Sequence, residues 1–270
     1  MVFKKAPLHA RQIERDAVMT TREKKVVAIV QARTGSTRLP SKVLKKINKK
    51  TMLEHVIERL KNTKTTDEIV IATSNKEQDK PIIELAKRLN VSYFVGSEYD
   101  VLDRYLKAAE QVEAEIIVRI TADCPLIDPN TVDKIVRCHL QSNVDCTRTL
   151  IDESNSKSFP RGLDAEVFSV KVLRRVHKLA NKPYKREHVT IFIYEHPELF
   201  KIQMIEAEEG LRRPHYRLCV DVEEDLKLIR EIYHRLYVPN EIIDIRDVIR
   251  LLDENPNLQQ INAHVKQKSY

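Results

Sequence analysis

Residues 31–42 read QARTGSTRLPSK, with Arg33, Arg38 and Lys42 set around Gly35, Ser36 and Thr37 and an exit stiffened by Pro40. The stretch follows directly on an apolar run, VVAIVQ. A turn of small hydroxyl residues around a glycine can aim backbone N–H groups and hydroxyls at one point, and the cations add fixed positive charge. Such a loop can cradle a polyanion, for which a triphosphate is the natural choice; the alternative is a solvated surface loop. It lacks the second glycine of a Walker A loop and is not a GxGxxG fingerprint.

Carboxylates come from other segments. TADCPLI carries Asp123 at the end of an apolar run, and CVDVEED carries Asp221. Each could be a turn or helix cap or a metal carboxylate. Glu223, Glu224 and Asp225 suit a first helical turn, where the dipole favours acids. PRGLDAE groups Arg161, Gly162, Asp164 and Glu166, and alternation puts Asp164 and Glu166 on one side of a strand. KREHVT adds Arg186 and His188, which cannot share a helix face unless Arg186 precedes the helix. Asp103 and Arg104 are either a ligand contact or a surface charge pair. Cys124, with no identifiable His partner, reads as a small packed residue before it reads as a nucleophile.

These residues need a scaffold. Short β-branched runs at 26–31, 68–73, 92–96, 115–121 and 144–149 have the strand signal. Between them lie helical patterns: 51–62, with Thr51 and Glu54 as a capping box, 81–90 opening on Pro81, and two more behind Asp100 and Asp128. Strand and helix in alternation predict an α/β fold with a mixed, mostly parallel sheet covered on both faces, and ligands at the carboxyl ends of its strands. The second half is less regular. LDAEVF, FKIQMIEAE and YRLCVD read as strands, and VKVLRRVHKLA, REHVTIFIYEH, DLKLIREIYHRLY and the segment from residue 245 as helices. The expected division is a basic, flexible extension over 1–24 and one domain over 25–268, with a nucleotide-binding half to 150 and a sugar-binding or oligomerisation half from 151.

The net charge is +7, and residues 1–25, with seven Lys/Arg against three Asp/Glu, supply +4 of it. The balanced remainder speaks against nucleic-acid binding by the folded domain. No apolar stretch approaches a bilayer span, and the N-terminus lacks a secretory h-region. The four cysteines fit no zinc spacing. A cytoplasmic protein with free thiols is expected.

Taken in order, VQARTGSTRLPSKVL, GSEYDVLDRY, RITADCPLIDP, FPRGLDAEVF, REHVT, CVDVEEDLKLI and NPNLQQINAHVKQK resemble the CMP-sugar synthetase (acylneuraminate/Kdo cytidylyltransferase-like) superfamily, most of all its spore-coat polysaccharide branch. The resemblance spans about residues 25–268. It implies a Rossmann-like nucleotide-diphospho-sugar transferase fold, Mg²⁺ as cofactor and transfer of CMP from CTP to an acidic keto-sugar with loss of pyrophosphate. It places the nucleotide at Gln31, Ala32, Arg33, Gly35, Ser36, Arg38, Lys42, Asp103, Arg104, Thr121 and Ala122. Catalysis falls to Arg38, Lys42, Asp123 and Asp221, the last two holding the metal. The sugar falls to Arg161, Gly162, Asp164, Glu166, Arg186 and His188. A homodimer is implied as well. Thr34, Ser41 and Ala122 depart from the pattern, standing where Met, Gly and Gly are common. The competing readings are a sugar- or alditol-phosphate acceptor or another NTP, a nucleotide-sugar glycosyltransferase, for which the D-x-D motif is missing, and a non-catalytic nucleic-acid binder.

Overall fold

The computed structural model describes residues 24–267. Its sheet is built outward from β1 (Val26–Gln31), whose first five residues are all buried. A strand covered on both faces needs apolar side chains in both directions. Val26, Ala28 and Val30 enter the core on one face, Val27 and Ile29 the core on the other.

A hairpin of β2 (Lys46–Ile47) and β3 (Lys50–Thr51) leads into α1 (Met52–Leu60). The chain continues through β4 (Glu68–Ser74), α2 (Lys80–Arg88), β5 (Ser92–Gly96), α3 (Val101–Gln111), β6 (Ile116–Thr121), α4 (Pro129–Gln141) and β7 (Cys146–Thr149). The second half adds β8 (Glu166–Ser169), α5 (Val170–Leu179), α6 (Pro183–Glu187), α7 (Ile191–Glu195), β9 (Ile202–Ile205), α8 (Glu223–Leu236), α9 (Ile245–Glu254) and α10 (Pro256–Gln259). The seven-stranded sheet runs β5-β4-β1-β6-β8-β7-β9. Only β8 is antiparallel to its neighbours. The expected mixed, mostly parallel sheet with helices is observed. After β1 the chain builds outward to β4 and β5, then returns to place β6 on the other side of β1. The switch point therefore lies at the carboxyl ends of β1 and β6, where a crevice is required.

Local signals set the helix starts. Thr51 Oγ1 accepts from Glu54 N (3.2 Å) while Glu54 Oε2 accepts from Thr51 N (2.6 Å), the reciprocal box. Asp100 and Asp128 cap α3 and α4 by accepting from Asp103 N and Thr131 N.

Three expectations fail locally. YRLCVD is extended but not a strand, pairing only through an isolated bridge between Arg161 and Arg217. LDAEVF becomes a strand only from Glu166. The helix expected over 186–196 is two short ones, broken where Val189 takes φ 40°. The expected extension lies outside the described residues apart from Lys24, as does Lys268.

Two glycines differ in kind. Gly162 has φ +102°, and a Cβ there would stand 2.5 Å from the carbonyl carbon of Leu218. Gly35 has ordinary backbone, and its Cβ would meet the flexible end of Glu98 at 3.1 Å. Gly162→Ala should therefore cost roughly 3 kcal/mol or more, combining left-handed strain with a backbone clash. Gly35→Ala should cost less than about 1 kcal/mol. Urea unfolding midpoints of the two variants test this; equal midpoints would contradict it.

Candidate active site

The crevice at the switch point holds two adjoining cavities. The first, of about 300 Å³, is lined by the loop after β1, including Gln31, Ala32, Arg33, Gly35, Ser36, Arg38 and Lys42, and by Arg104, Arg119, Thr121, Ala122 and His188. The second, of about 350 Å³, is lined by Arg148, Arg161, Asp164, Glu166, Thr190, Tyr194 and Gln267, among others. Asp123 and Asp221 line both.

At the shared wall, Lys42 Nζ donates to Asp123 Oδ2 (2.7 Å), Asp221 Oδ1 (2.8 Å) and Val220 O (2.9 Å). Its side chain is 12% exposed. Burial disfavours the ammonium, but the two carboxylates outweigh that and raise its pKa. Burial likewise works against the Asp123 anion, and Lys42 more than offsets it, so the carboxyl sits below its usual range. Asp221 also takes Arg38 (3.0 Å) and Arg217 (2.6 Å). Asp225 Oδ2 then accepts from the N–H groups of Asp221 and Val222, and its Oδ1 from Arg217 Nε (3.0 Å). The side chain that caps α8 is thus Asp225 reaching back, which leaves Asp221 for the cleft. Val220 N donates to Asp123 O (2.8 Å), tying the two aspartate segments together.

The floor of the second cavity is a cross-strand row. Glu166 on β8 lies opposite Arg119 on β6 and Arg148 on β7. Arg119 Nη1 donates to Glu166 Oε2 (3.1 Å) and its Nη2 to Gln31 Oε1 (3.3 Å). Burial opposes the Glu166 anion, and Arg119 and Arg148 prevail, lowering its pKa. The Arg148 guanidinium lies 4.5 Å over the Tyr194 ring. Buried Nε groups of Arg104, Arg119 and Arg161 have no hydrogen-bond partner.

Not every expected residue arrives. Asp103 pairs with His177 (3.2 Å) and Lys107 (2.8 Å), away from both cavities. Arg186 binds Asp100 and the carbonyls of His177 and Ala180, clamping the end of α5 to the start of α3. Gly162 lines neither cavity; its place is the close approach to residues 218–219. Ala32 N is already donated to Ala72 O, and Ala122 N to Gln31 O, so neither N–H is spare for a base. Burial pushes the Cys124 and Cys219 thiols well above their ordinary range, the opposite of a nucleophile's need. Sequence reasoning missed Arg119, Arg148, Tyr194, Arg217 and Gln267. The available signal was a single arginine inside each of the runs EIIVRIT, VDCTRT and YRLCVD.

Among the described residues no helix is long and apolar enough to cross a membrane, and no group of three or more His, Cys, Asp or Glu is arranged to hold a metal ion. The sequence profile of the cytidylyltransferase family matches residues 27–266. The chain belongs to the cytidylyltransferase family. This cytidylyltransferase is 43% identical over 246 residues to an uncharacterized protein of Methanocaldococcus jannaschii, covering 91% of this chain and 98% of that one. It is 34% identical to the spore coat polysaccharide biosynthesis protein SpsF of Bacillus subtilis, covering 86% and 95%. A solved cytidylyltransferase from Leptospira borgpetersenii superposes with a TM-score of 0.80 at 32% identity, covering 92% and 100%. The protein is therefore an enzyme of the CMP-sugar synthetase-like superfamily, as the ordered sequence blocks imply.

Asp164 gives a titration test. Its Oδ2 accepts from Gly162 N (2.7 Å), but burial dominates and raises its pKa. A raised carboxyl pKa means that ionisation is penalised in the fold. Its stabilising share is complete below the unfolded pKa, about 3.9, and is lost as pH rises through the folded value. Asp164→Asn keeps the acceptor and never ionises. Its melting temperature should exceed wild type at pH 7 and converge with it towards pH 4. A constant difference across that range would show that Asp164 carries no such penalty.

Proposed function

We propose that this cytidylyltransferase transfers CMP from CTP to the anomeric hydroxyl of an acidic keto-sugar, releasing pyrophosphate, in the synthesis of a surface polysaccharide. The observation that carries the reading is the pair of cavities meeting at Lys42, Asp123 and Asp221. One cavity has the cationic loop a triphosphate needs, and the other sets Arg119, Arg148 and Arg161 among the carboxylates of Asp123, Asp164, Glu166 and Asp221. The spore coat polysaccharide relative supports the pathway class.

The hydroxyl oxygen attacks the α-phosphorus in line. The bond from that phosphorus to the oxygen bridging towards the β-phosphate breaks, and pyrophosphate leaves with the electron pair. Positioning and charge neutralisation are the protein's contribution. Arg33, Arg38 and Lys42 hold phosphate oxygens in the first cavity. Arg148 and Arg161 take the acceptor's carboxylate. Asp164, whose buried carboxyl has gained affinity for protons, receives the hydroxyl proton. The Lys42 ammonium stands in for a cation between Asp123 and Asp221, so the two carboxylates converge on one positive centre. Mg²⁺ characteristically takes one or two carboxylates together with phosphate oxygens and waters, so the pair fits it. When bound there it would offset charge on the transferring phosphoryl group.

Cytosine offers an amino donor where uracil offers an acceptor. With the nearby N–H groups spent inside the fold, a backbone carbonyl is the natural partner for that amino group. An unpaired buried acceptor costs roughly 1–3 kcal/mol. CTP should therefore exceed UTP by at least about tenfold in kcat/KM when pyrophosphate release is measured with each of four NTPs against acidic sugars and sugar phosphates. Equal use of UTP or ATP would sink the cytidylyl reading, and preference for a sugar phosphate would sink the acidic acceptor.

Asp123→Asn and Asp221→Asn should each remove most turnover, and Arg38→Ala should cost about 30- to 1,000-fold in rate. Near-normal pyrophosphate release from both asparagine variants at saturating Mg²⁺ would rule out the two-carboxylate site.

A further inference from the structure

The loop that lines the first cavity hangs from a side chain that lines neither. Asp79 is fully buried, at 0% exposure, in the N-cap position of α2, yet its carboxylate caps nothing. Its Oδ1 accepts from Thr34 N (2.7 Å) and Thr34 Oγ1 (2.6 Å), and its Oδ2 from Ser74 Oγ at the end of β4. All three donors are neutral, and the two from Thr34 are reached across 45 residues of chain. Burying a carboxylate is costly unless its lone pairs are satisfied, and here they are spent on one loop residue and one strand end.

Thr34 is also where the loop closes on itself. Its carbonyl accepts from Ser36 N (2.8 Å) and Ser41 N (2.9 Å). To make the return bond Ser41 holds φ 54°, a left-handed conformation that a side chain disfavours. Residues 34–41 therefore form a ring pinned at Thr34, with Arg38 inside it and Lys42 following its closure. The pin is the Asp79 carboxylate.

We propose that Asp79 is a positioning residue for nucleotide binding: through Thr34 it sets the place of the loop that presents Arg38 and Lys42. This rests on reading the first cavity as the nucleotide site. A purely structural Asp79 would lower stability and leave nucleotide affinity alone. A positioning Asp79 acts on the nucleotide and spares the acceptor, whose cavity is walled by other segments.

The test is CTP titration by calorimetry, together with KM for each substrate, on wild type and on Asp79→Ala, Asp79→Asn and Thr34→Val, all held well below their melting temperatures. Misplacing a binding loop by about 1 Å can cost on the order of 100-fold, so Asp79→Ala should weaken CTP binding and raise its KM by about 10- to 100-fold with the acceptor KM unchanged. Asp79→Asn keeps an oxygen for Thr34, its amide can donate to Ser74 Oγ, and it should recover to within about threefold of wild type. Thr34→Val, which keeps the Thr34 N–H bond but loses the hydroxyl's contacts with Asp79 Oδ1 and Gln78 O, should fall between. Wild-type CTP affinity in Asp79→Ala, or an equal rise in both KM values, overturns the proposal. Should Asp79→Ala fail to fold, Thr34→Val carries the test, and normal CTP affinity in it overturns the proposal. Failure of the wild type itself to bind CTP would instead remove the nucleotide reading, and this one with it.

Discussion

Everything at the cleft depends on one buried ammonium. Lys42 follows β1, Asp123 follows β6 and Asp221 precedes α8, and the three meet within 2.8 Å. Each is largely shielded, with 12%, 24% and 14% of its side chain exposed. A cation or anion left unpaired out of water costs several kcal/mol, and breaking such a set by removing one member typically costs 3–5 kcal/mol. The ion triad therefore fixes the spacing of three chain segments far apart in sequence. That spacing brings the cationic loop and the arginine-lined floor to opposite sides of one wall.

The triad does not stand alone. Arg38 and Arg217 share Asp221, and Asp225 and Gln267 hold Arg217. Around the wall three cations, Lys42, Arg38 and Arg217, face three carboxylates, Asp123, Asp221 and Asp225. The ligand-free site is thus neutral there, and each side chain is already oriented before substrate arrives. Preorganisation of this kind spares the reaction the cost of turning dipoles and charges during the chemical step.

The first half of the chain was legible because its signals are local. The run 26–31 reads as a strand, Thr51 and Glu54 read as a box, and the loop cations announce an anion site, each within a dozen residues. The second half was less so. YRLCVD has a strand's composition, but its backbone is spent on Arg161 and Asp123, an approach that a side chain at Gly162 would block. Asp103 and Arg186 lie in suggestive motifs, yet their partners, His177 and Asp100, come from other elements that no local pattern reveals. Arg119 and Arg148 sit in runs that otherwise look like core. A guanidinium in a strand is tolerated only where a carboxylate or a cavity meets it, and which of the two applies is a matter of sheet order.

Sheet order is what separates the second cavity from the first. Were β8 parallel like its neighbours, Glu166 would lie at the far end of the sheet from Thr121 and the cleft. Running antiparallel, β8 begins where β6 ends, so its first residue falls opposite Arg119 and Arg148 at the mouth of the crevice. In that row one carboxylate lies between two arginines, while Asp123, Asp164 and Asp221 line the same cavity. The first cavity owes its charge to a loop, which can be set by a few residues of sequence. The second cavity owes its Arg119–Glu166–Arg148 row to the reversal of a single strand.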